Sequence, residues 1–550
     1  GQISWDRVEE LSADHPDLLA AVQTARSWVT TAKHYNNGEE IRPSSVAYSR
    51  FNDDQVERMI AAGKLEPVAP QTPIFCGAKG FPTPQRDKKR LRPVFEPDNN
   101  ARIDREALPP LKYPSRLERR VAISSCSYVL QFDFAAWYDQ IALEPETRPH
   151  FVIRLRDGSK NGRLMSLTRE PMGSSHSAHV AQTVTWAIVQ PIARRFGLTA
   201  ITMIDNVAIG GNEAETFAAG VLAFVDACRH VGATLNDADQ IPGGAEEIAL
   251  LGRRTAIEGM DFVGEHFASG HVSNTKKVLA KNDRALAALR EARKGERTMT
   301  RRNVASAIGL SMYSQHTVDV HISEAFTLLR EYRRIAVDAA TGWDVTHQVS
   351  DSLLRAMSEL NPSIHGSYAP AQPVPPSTSR AKYDTIIICD ASASGYGGFV
   401  VRRVNGKEFI HVVKGGWRRE MRHSAHSEPL AATLLLRWAR SWGPLGHTLV
   451  VTDHLAMVNG QRRWNTHHGG GSSSFFLNDF FRELYRDGKG LRRDVRYVIG
   501  ERNPSDVVSR STHIGEMQSS YLSHDVDPVG HITQYEHPFA TITRRKWWCN

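Results

Sequence analysis

The sequence predicts a multidomain protein of mixed class, α+β and α/β together. Three observations carry that expectation. Strand-like and helix-like segments alternate from residue 128 to 268. Residues 361–380 then hold five prolines and five Ser or Thr, the composition of an extended linker and the clearest domain boundary. Beyond it the alternation resumes with a β-branched run, Thr385-Ile-Ile-Ile-Cys389, that leads straight into Asp390. A length of 550 residues suits three or four domains with ample cores.

Hydrophobic content of 41% and charged content of 23% are those of an ordinary globular protein. A formal charge of +8 fits a polyanionic partner, and it also fits a solvated basic surface. No stretch is long and apolar enough to span a bilayer, so no membrane partner is expected. The first residues, Gly-Gln-Ile-Ser-Trp-Asp, carry no signal-peptide core, no initiator Met and no myristoylation pattern. They read as the start of a piece cut from a longer polyprotein. The five cysteines, Cys76, Cys126, Cys228, Cys389 and Cys549, are scattered without zinc-ligand spacing. Reduced thiols in an intracellular protein, cytoplasmic or nuclear and not secreted, are the expectation.

Residues 1–49 read as an N-terminal extension. A short capped helix is expected within 50–66, ending at Gly63. A basic loop follows, Gln85-Arg-Asp-Lys-Lys-Arg-Leu-Arg92, with Pro93-Val-Phe after it. Residues 129–134 look like a buried strand interrupted by one carboxylate, Asp133. A buried Asp needs a partner, which a helix-cap position or a metal would each supply. In Arg169-Glu-Pro-Met-Gly-Ser-Ser-His, the pair Met172-Gly173 would let backbone approach a ligand closely, and a helix should start near Ser177. In Thr199-Ala-Ile-Thr-Met-Ile-Asp-Asn-Val-Ala-Ile-Gly-Gly, Asp205-Asn206 is placed at a hairpin tip, with φ > 0. Residues 282–293 form a capped amphipathic helix, and further helices run through 300–341. The span 276–302 carries ten Lys or Arg against three acidic residues, a pattern suited to duplex phosphates or to a solvated face.

After the linker, Asp390 ends a strand, and Gly395, Gly397 and Gly398 are expected to make a hairpin. Glu428 lies in the first turn of an amphipathic helix, 426–438. Asp453 ends the strand that begins at Leu449, and Asp506 opens a helix after Tyr497-Val-Ile. Any one of these carboxylates alone would more often be a cap. Four at the edges of apolar segments can hold two hard divalent cations and hydrolyse a phosphodiester. Residues 464–474 read as a loop with a His pair. The stretch 530–550, with Arg544-Arg-Lys-Trp-Trp, would stack on nucleic acid or pack back on its domain.

The carboxylate order and the word Asn-Pro-Ser-Asp-Val-Val-Ser-Arg510 resemble the ribonuclease H domain of retroelements, in the gypsy-like and tyrosine-recombinase (DIRS-like) groups. Upstream, Asp133 with Tyr138-Asp-Gln-Ile, then Pro-Met-Gly, then Ile-Asp-Asn resembles motifs A, B and C of reverse transcriptases. Lys79-Gly80 and Arg92-Pro93-Val94 are similar to the preceding fingers segment. Asp261-Phe-Val-Gly-Glu-His-Phe267 is similar to the primer grip, and Ala307-Ile-Gly-Leu-Ser-Met-Tyr313 to the helix after the thumb. The resemblance implies a right-hand polymerase followed by a connection and an RNase H-like domain: fingers 50–127, palm 128–270, thumb and connection 271–360, linker 361–382, RNase H-like domain 383–525 and a tail 526–550.

It implies an RNA-directed DNA polymerase and ribonuclease H with two Mg²⁺, or Mn²⁺, at each site. Asp133, Asp205 and the carbonyl of Phe134 would hold one pair, and Asp390, Glu428, Asp453 and Asp506 the other. Arg92 with Lys88 or Lys89 would clamp the dNTP triphosphate. Tyr138 would exclude a 2′-hydroxyl, and Met172, Gly173 and Asn206 would line the substrate. The partners implied are an RNA template, a DNA or RNA primer, the RNA–DNA hybrid, dNTPs and other retroelement polyprotein products, in a virus-like particle or the nucleus. Three positions depart from the family pattern: Asn206 for a second Asp, Met172 for Gln, and Asp239 where a Lys often protonates pyrophosphate. Glu501 stands where some members carry a catalytic His. A domesticated module that keeps both folds and only binds nucleic acid is the competing reading, and an RNA-dependent RNA polymerase is a further one. The sequence leaves oligomeric state open.

Overall fold

The computed structural model describes residues 1–35, 38–85, 90–110, 113–370, 383–417, 419–465, 474–487, 489–510 and 531–532. It is a mixed α/β, multidomain protein, as predicted. Two compact units form: Gly1–Pro114 with Ser125–Val263, and Ser115–Ser124 with Gly264–Asn550. No helix among the described residues is long and apolar enough to cross a membrane.

The first unit opens with α1 (Trp5–Ser12), α2 (Pro16–Thr30) and α3 (Asp53–Ala61). Asn52 caps α3 in a reciprocal box with Gln55, and Gly63 follows at φ +68°, as the sequence predicts. Then come β1 (Leu65–Pro67), β2 (Ala78–Gln85) and β3 (Arg90–Pro97). The next helix, α4 (Arg116–Ser124), belongs to the second unit. The first unit continues with β4 (Tyr128–Asp133), β5 (Val152–Leu155), β6 (Arg163–Leu167), α5 (Ser177–Phe196), β7 (Thr199–Met203), β8 (Asn206–Gly211), α6 (Ala214–Val231), α7 (Ala245–Glu258) and β9 (Met260–Phe262). Strands β2 and β3 pair as a hairpin, β1-β6-β5 form one sheet and β4-β8-β7 another. Phe132, Val207 and Ile209 from the last sheet, with Phe134 just past β4, share one core with Val180, Val184, Phe217 and Phe224 of α5 and α6. Burial of that face fixes the β4–β8 register and thus where Asp133 falls.

The β7–β8 turn departs from expectation. Its positive φ belongs to Ile204, at +57°, and not to Asp205 or Asn206. A β-branched residue is unfavourable there, so its surroundings must hold it. Gln182 Oε1 accepts from Ile204 N at 2.6 Å, Thr185 Oγ1 donates to Ile204 O at 2.5 Å, and Gln182 Nε2 donates to Thr202 O at 3.0 Å.

The second unit continues with β10 (Glu265–Ala268), β11 (His271–Asn274), α8 (Lys276–Lys294), α9 (Arg301–Thr317), α10 (Phe326–Asp338), α11 (Asp351–Ile364) and β12 (Ser367–Tyr368). Helix α8 starts earlier than the predicted 282, because Thr275 Oγ1 caps it through Val278 N. The predicted linker is corrected at its start. Residues 361–364 complete α11 and Ser367–Tyr368 pair with β11. Burial of Leu360, Ile364 and Tyr368 outweighs the Pro and Ser content there. Residues 371–382 lie outside the described residues. Glu265 on β10 is fully buried and accepts from Arg116 Nε at 3.0 Å and Arg120 Nη2 at 2.9 Å, with Arg119 at 3.9 Å. This buried ion group attaches α4 to the second unit.

A six-stranded mixed sheet follows, in the order β17-β16-β13-β14-β15-β18. Its strands are β13 (Thr385–Ala391), β14 (Gly395–Val404), β15 (Lys407–Gly416), β16 (Thr448–Thr452), β17 (Arg493–Tyr497) and β18 (His531–Ile532). Helices α12 (Ser424–Arg440), α13 (Leu455–Asn465), α14 (Phe475–Leu484) and α15 (Ser505–Arg510) accompany it. Ile386 and Ile388 face one core and Ile387 and Cys389 the other, which is why β13 is apolar throughout. Gly397 and Gly398 lie inside β14, paired to both neighbours, Gly395 opens the strand opposite Gly416 of β15, and the turn falls just before it. The sheet is joined to the α9–α10 region within this unit. His321 stacks on Tyr485 at 4.1 Å, Gly490 N donates to Asp319 Oδ2 at 3.1 Å, and Asn478 Nδ2 to Ser323 O at 3.2 Å. The described cysteines are all free thiols.

Candidate functional site

Two carboxylate centres form, one in each unit. In the first, Asp133 is the last residue of β4 and its register partner is Asn206, the first of β8. Phe134 N donates to Asp205 O at 2.9 Å, so the main chains of Asp133 and Asp205 run side by side past the strand ends. Asn236 holds Asp133 twice. Its Nδ2 donates to Asp133 Oδ2 and its N to the Asp133 carbonyl, each at 2.7 Å. Asn206 Nδ2 donates to Asp205 Oδ1 at 3.2 Å, an attraction that a second carboxylate there would replace with repulsion. The Phe134 ring is buried and stacks on Trp137 at 4.0 Å.

Arg92 lies on β3, half-buried, with Nη1 3.7 Å from Met172 Sδ. Met172 O accepts from Phe95 N at 2.8 Å. Gly173 sits at φ +122°, and a Cβ there would come within 2.1 Å of Phe95 O, so only glycine fits. Asn100 spans this turn, donating to Gly173 O and accepting from Ser175 N, both at 2.9 Å. Tyr138 is half-buried. Burial, then Tyr113 and the charge of Asp205, push its phenol above the usual range. Arg92, Met172, Gly173, Tyr138, Asp205 and Asp133 therefore belong to one neighbourhood. Asp239 is exposed on the turn Ala238–Gln240. Lys88 and Lys89 lie outside the described residues. Sequence reasoning missed Asn236, Gln182 and Asn100. Gln182 and Asn100 act through their side-chain amides on backbone distant in sequence, and Asn236 on the distant Asp133 carboxylate, pairings that no local pattern encodes.

In the second centre, Asp390 is next to last in β13, Glu428 lies in the second turn of α12, and Asp453 follows β16 directly. Each brings one oxygen to within 4.8 Å of the other two, and among the described residues this is the one such group of three or more. Burial raises Glu428 to about 9, with Asp390 and Asp453 adding repulsion. Burial raises Asp390 to about 6, against the lowering bond from Ser509. Asp453 is raised mainly by burial. Glu428 Oε2 is buried with no hydrogen-bond partner. Three crowded carboxylates with an orphaned oxygen form a donor set that a hard divalent cation would satisfy. The residues fit the group. Asp506 stands outside the three, its Oδ1 paired with Arg510 Nε at 2.8 Å, yet its charge still raises Asp390 and Glu428. A Cβ at Gly500 would lie 3.1 Å from Asp453 Oδ2, so the backbone passes close to the centre. Glu501 is exposed beside it.

No family model matches the sequence, and no curated protein matches it. Among solved structures, the chain is similar to the foamy viral protease-reverse transcriptase, in its dRH form in complex with double-stranded DNA. The TM-score is 0.44 and the identity 12%, over 84% of this chain and 73% of that one. It is also similar to the foamy viral protease-reverse transcriptase in complex with an RNA/DNA hybrid. Here the TM-score is 0.46 and the identity 12%, over 84% of this chain and 56% of that one. The chain thus spans little more than half the length of the second structure.

Proposed function

We propose that the chain is an RNA-directed DNA polymerase that also degrades the RNA strand of RNA–DNA hybrids, in the replication of a retroelement. The observation that carries the reading is the convergence of Asp390, Glu428 and Asp453, from three separate elements, on one buried centre with an orphaned oxygen. The adjacency of Asp133 and Asp205 at paired strand ends supports the polymerase half. Asp390, Glu428 and Asp453, with Asp506, would hold the nuclease cations, and Asp133, Asp205 and the Phe134 carbonyl the polymerase cations. Mg²⁺ or Mn²⁺ bound there would lower the pKa of the attacking hydroxyl or water and neutralise charge on the phosphate.

The protein's own groups do the rest. Asn236 fixes the Asp133 carboxylate, and Gln182 fixes the turn that presents Asp205. Arg92 offers planar paired donors to a triphosphate and rests against Met172. Tyr138 closes the sugar side, favouring dNTPs. Asn206 keeps Asp205 oriented by donating to it, so its departure from the family pattern is compatible with activity. The template RNA, the primer and the hybrid are the proposed partners. The gypsy-like or DIRS-like subgroup rests on the wording around Asp506 alone.

Primer extension on an RNA template with dNTPs and Mg²⁺ or Mn²⁺ tests the polymerase. An Asp133→Asn control should abolish it, and absence of incorporation by the wild type under either cation refutes it. The domesticated-module reading predicts hybrid binding with neither activity.

A further inference from the structure

Ser509 is fully buried, and its hydroxyl lies 2.5 Å from Asp390 Oδ2. The same hydroxyl is 3.0 Å from the Asp506 carbonyl. One hydroxyl proton serves one acceptor at a time, and the carboxylate is the stronger of the two. The glycines of β14 explain how Ser509 comes so near. A Cβ at Gly397 would stand 2.5 Å from Val508 Cγ1, so the strand is bare where α15 lies on it. Other bonds seat the helix independently of Asp390. Ser392 Oγ donates to Ser509 O and Lys414 Nζ to Val508 O, both at 2.9 Å.

We propose that Ser509 is a positioning residue of the nuclease centre. Its hydroxyl engages Asp390 Oδ2, so that Asp390 meets a divalent cation through Oδ1, beside Glu428 and Asp453. The proposal rests on the reading of those three residues as cation ligands. Asp390 is next to last in β13, and its oxygen in the centre lies within 4.8 Å of those of Glu428 and Asp453, close enough for mutual repulsion. Without a donor on one oxygen, that repulsion favours rotation of the carboxylate away from the centre. The Ser509 bond removes that freedom before any cation arrives, which is preorganisation in the ordinary sense. A charge-assisted bond in a buried site is strong enough to matter for binding.

The test uses the full chain carrying Asp133→Asn, so that Mn²⁺ binding reports on the nuclease centre. Mn²⁺ affinity is read by calorimetry or by the free-ion electron paramagnetic resonance signal, and hybrid cleavage is followed against Mg²⁺ concentration. Ser509→Ala is expected to weaken Mn²⁺ binding about tenfold and to move the cleavage curve to higher Mg²⁺ by the same factor. Cleavage at saturating Mg²⁺ should largely recover, which loss of folded protein would not allow. Ser509→Thr keeps the hydroxyl and should restore wild-type affinity. Ser392→Ala loosens α15 without touching Asp390 and should leave the affinity unchanged. Wild-type affinity in Ser509→Ala overturns the proposal. So does an equal shift in Ser392→Ala, because helix docking and not the bond to Asp390 would then be the cause. If Asp390→Asn binds Mn²⁺ as the parent does, the ligand reading itself is wrong, and the role of Ser509 goes with it.

Discussion

Asp205 depends on a backbone angle that its own turn disfavours, and Gln182 is the side chain that enforces it. Ile204 at φ +57° costs about 1–2 kcal/mol relative to a relaxed turn. Gln182→Leu keeps the volume of a buried side chain and removes its amide contacts, among them 2.6 Å to Ile204 N, 3.0 Å to Thr202 O and 3.1 Å to Thr202 Oγ1. One buried donor and one acceptor lose their partner, at about 1 kcal/mol or more each, so stability should fall by about 2–3 kcal/mol. Thr185 still donates to Ile204 O, so the turn should relax without unfolding. A displacement of Asp205 by about 1 Å is enough to cost roughly 100-fold in rate. Steady-state primer extension should therefore lose 10- to 100-fold in kcat, by that same estimate, with little change in KM for the primer–template. Hybrid cleavage, in the other unit, should be unaffected. Urea unfolding measures the stability term. An extension rate within about twofold of wild type, despite the measured loss of stability, would refute the claim that Gln182 positions Asp205.

Other substitutions probe the remaining parts of the account. Glu265→Gln leaves Arg116, Arg119 and Arg120 without their carboxylate and should cost about 3–5 kcal/mol in denaturant unfolding. Burial raises Glu265 while Arg120 and Arg116 lower it, with a net lowering. Its contribution is therefore full above its unfolded value of 4.5 and is lost as pH falls through the lower folded value, a loss that Glu265→Gln should abolish. Burial holds Glu428 near 9, so above its unfolded value of 4.5 the cation-free protein must take up a proton there on folding. Glu428→Gln removes that requirement and should stabilise the cation-free protein by about 1–2 kcal/mol at neutral pH, while reducing the rise in Tm on adding Mn²⁺. Tyr138→Ala should admit rNTPs, and a ratio of dNTP to rNTP incorporation unchanged from wild type would remove Tyr138 from the sugar gate.

Much of this architecture was legible because it lies in local pattern. The β-branched run before Asp390 encodes a strand covered on both faces, and Asn52 with Gln55 encodes a helix start. Asp133, Asp390 and Asp453 each fall at or just past the end of an apolar strand, where sequence alone can place them. What was not legible depends on contacts between distant residues. Ile204 takes the positive φ expected of Asp205-Asn206 because α5 supplies Gln182 and Thr185 to hold it there. Gly395, Gly397 and Gly398 look like turn residues, but they are strand residues, bare because Gly397 lies under α15, Gly398 under the Ile388 backbone and Leu435 of α12, and Gly395 against the Gly415 carbonyl. The Pro and Ser content of 361–368 suggests a linker, yet Ile364 and Tyr368 are buried and order it. Asp506 reads as an equal member of a quartet, whereas it stands beside the close group of three and pairs with Arg510, one helical turn on.

The most direct measurement is a single reaction that follows both strands: a labelled primer annealed to a differently labelled RNA template, with dNTPs and Mg²⁺ or Mn²⁺. The wild type should lengthen the primer and shorten the template. Asp133→Asn should lose only the first activity on a preformed hybrid, and Asp390→Asn only the second. Absence of dNTP incorporation by the wild type under either cation, or survival of both activities in both variants, would contradict it.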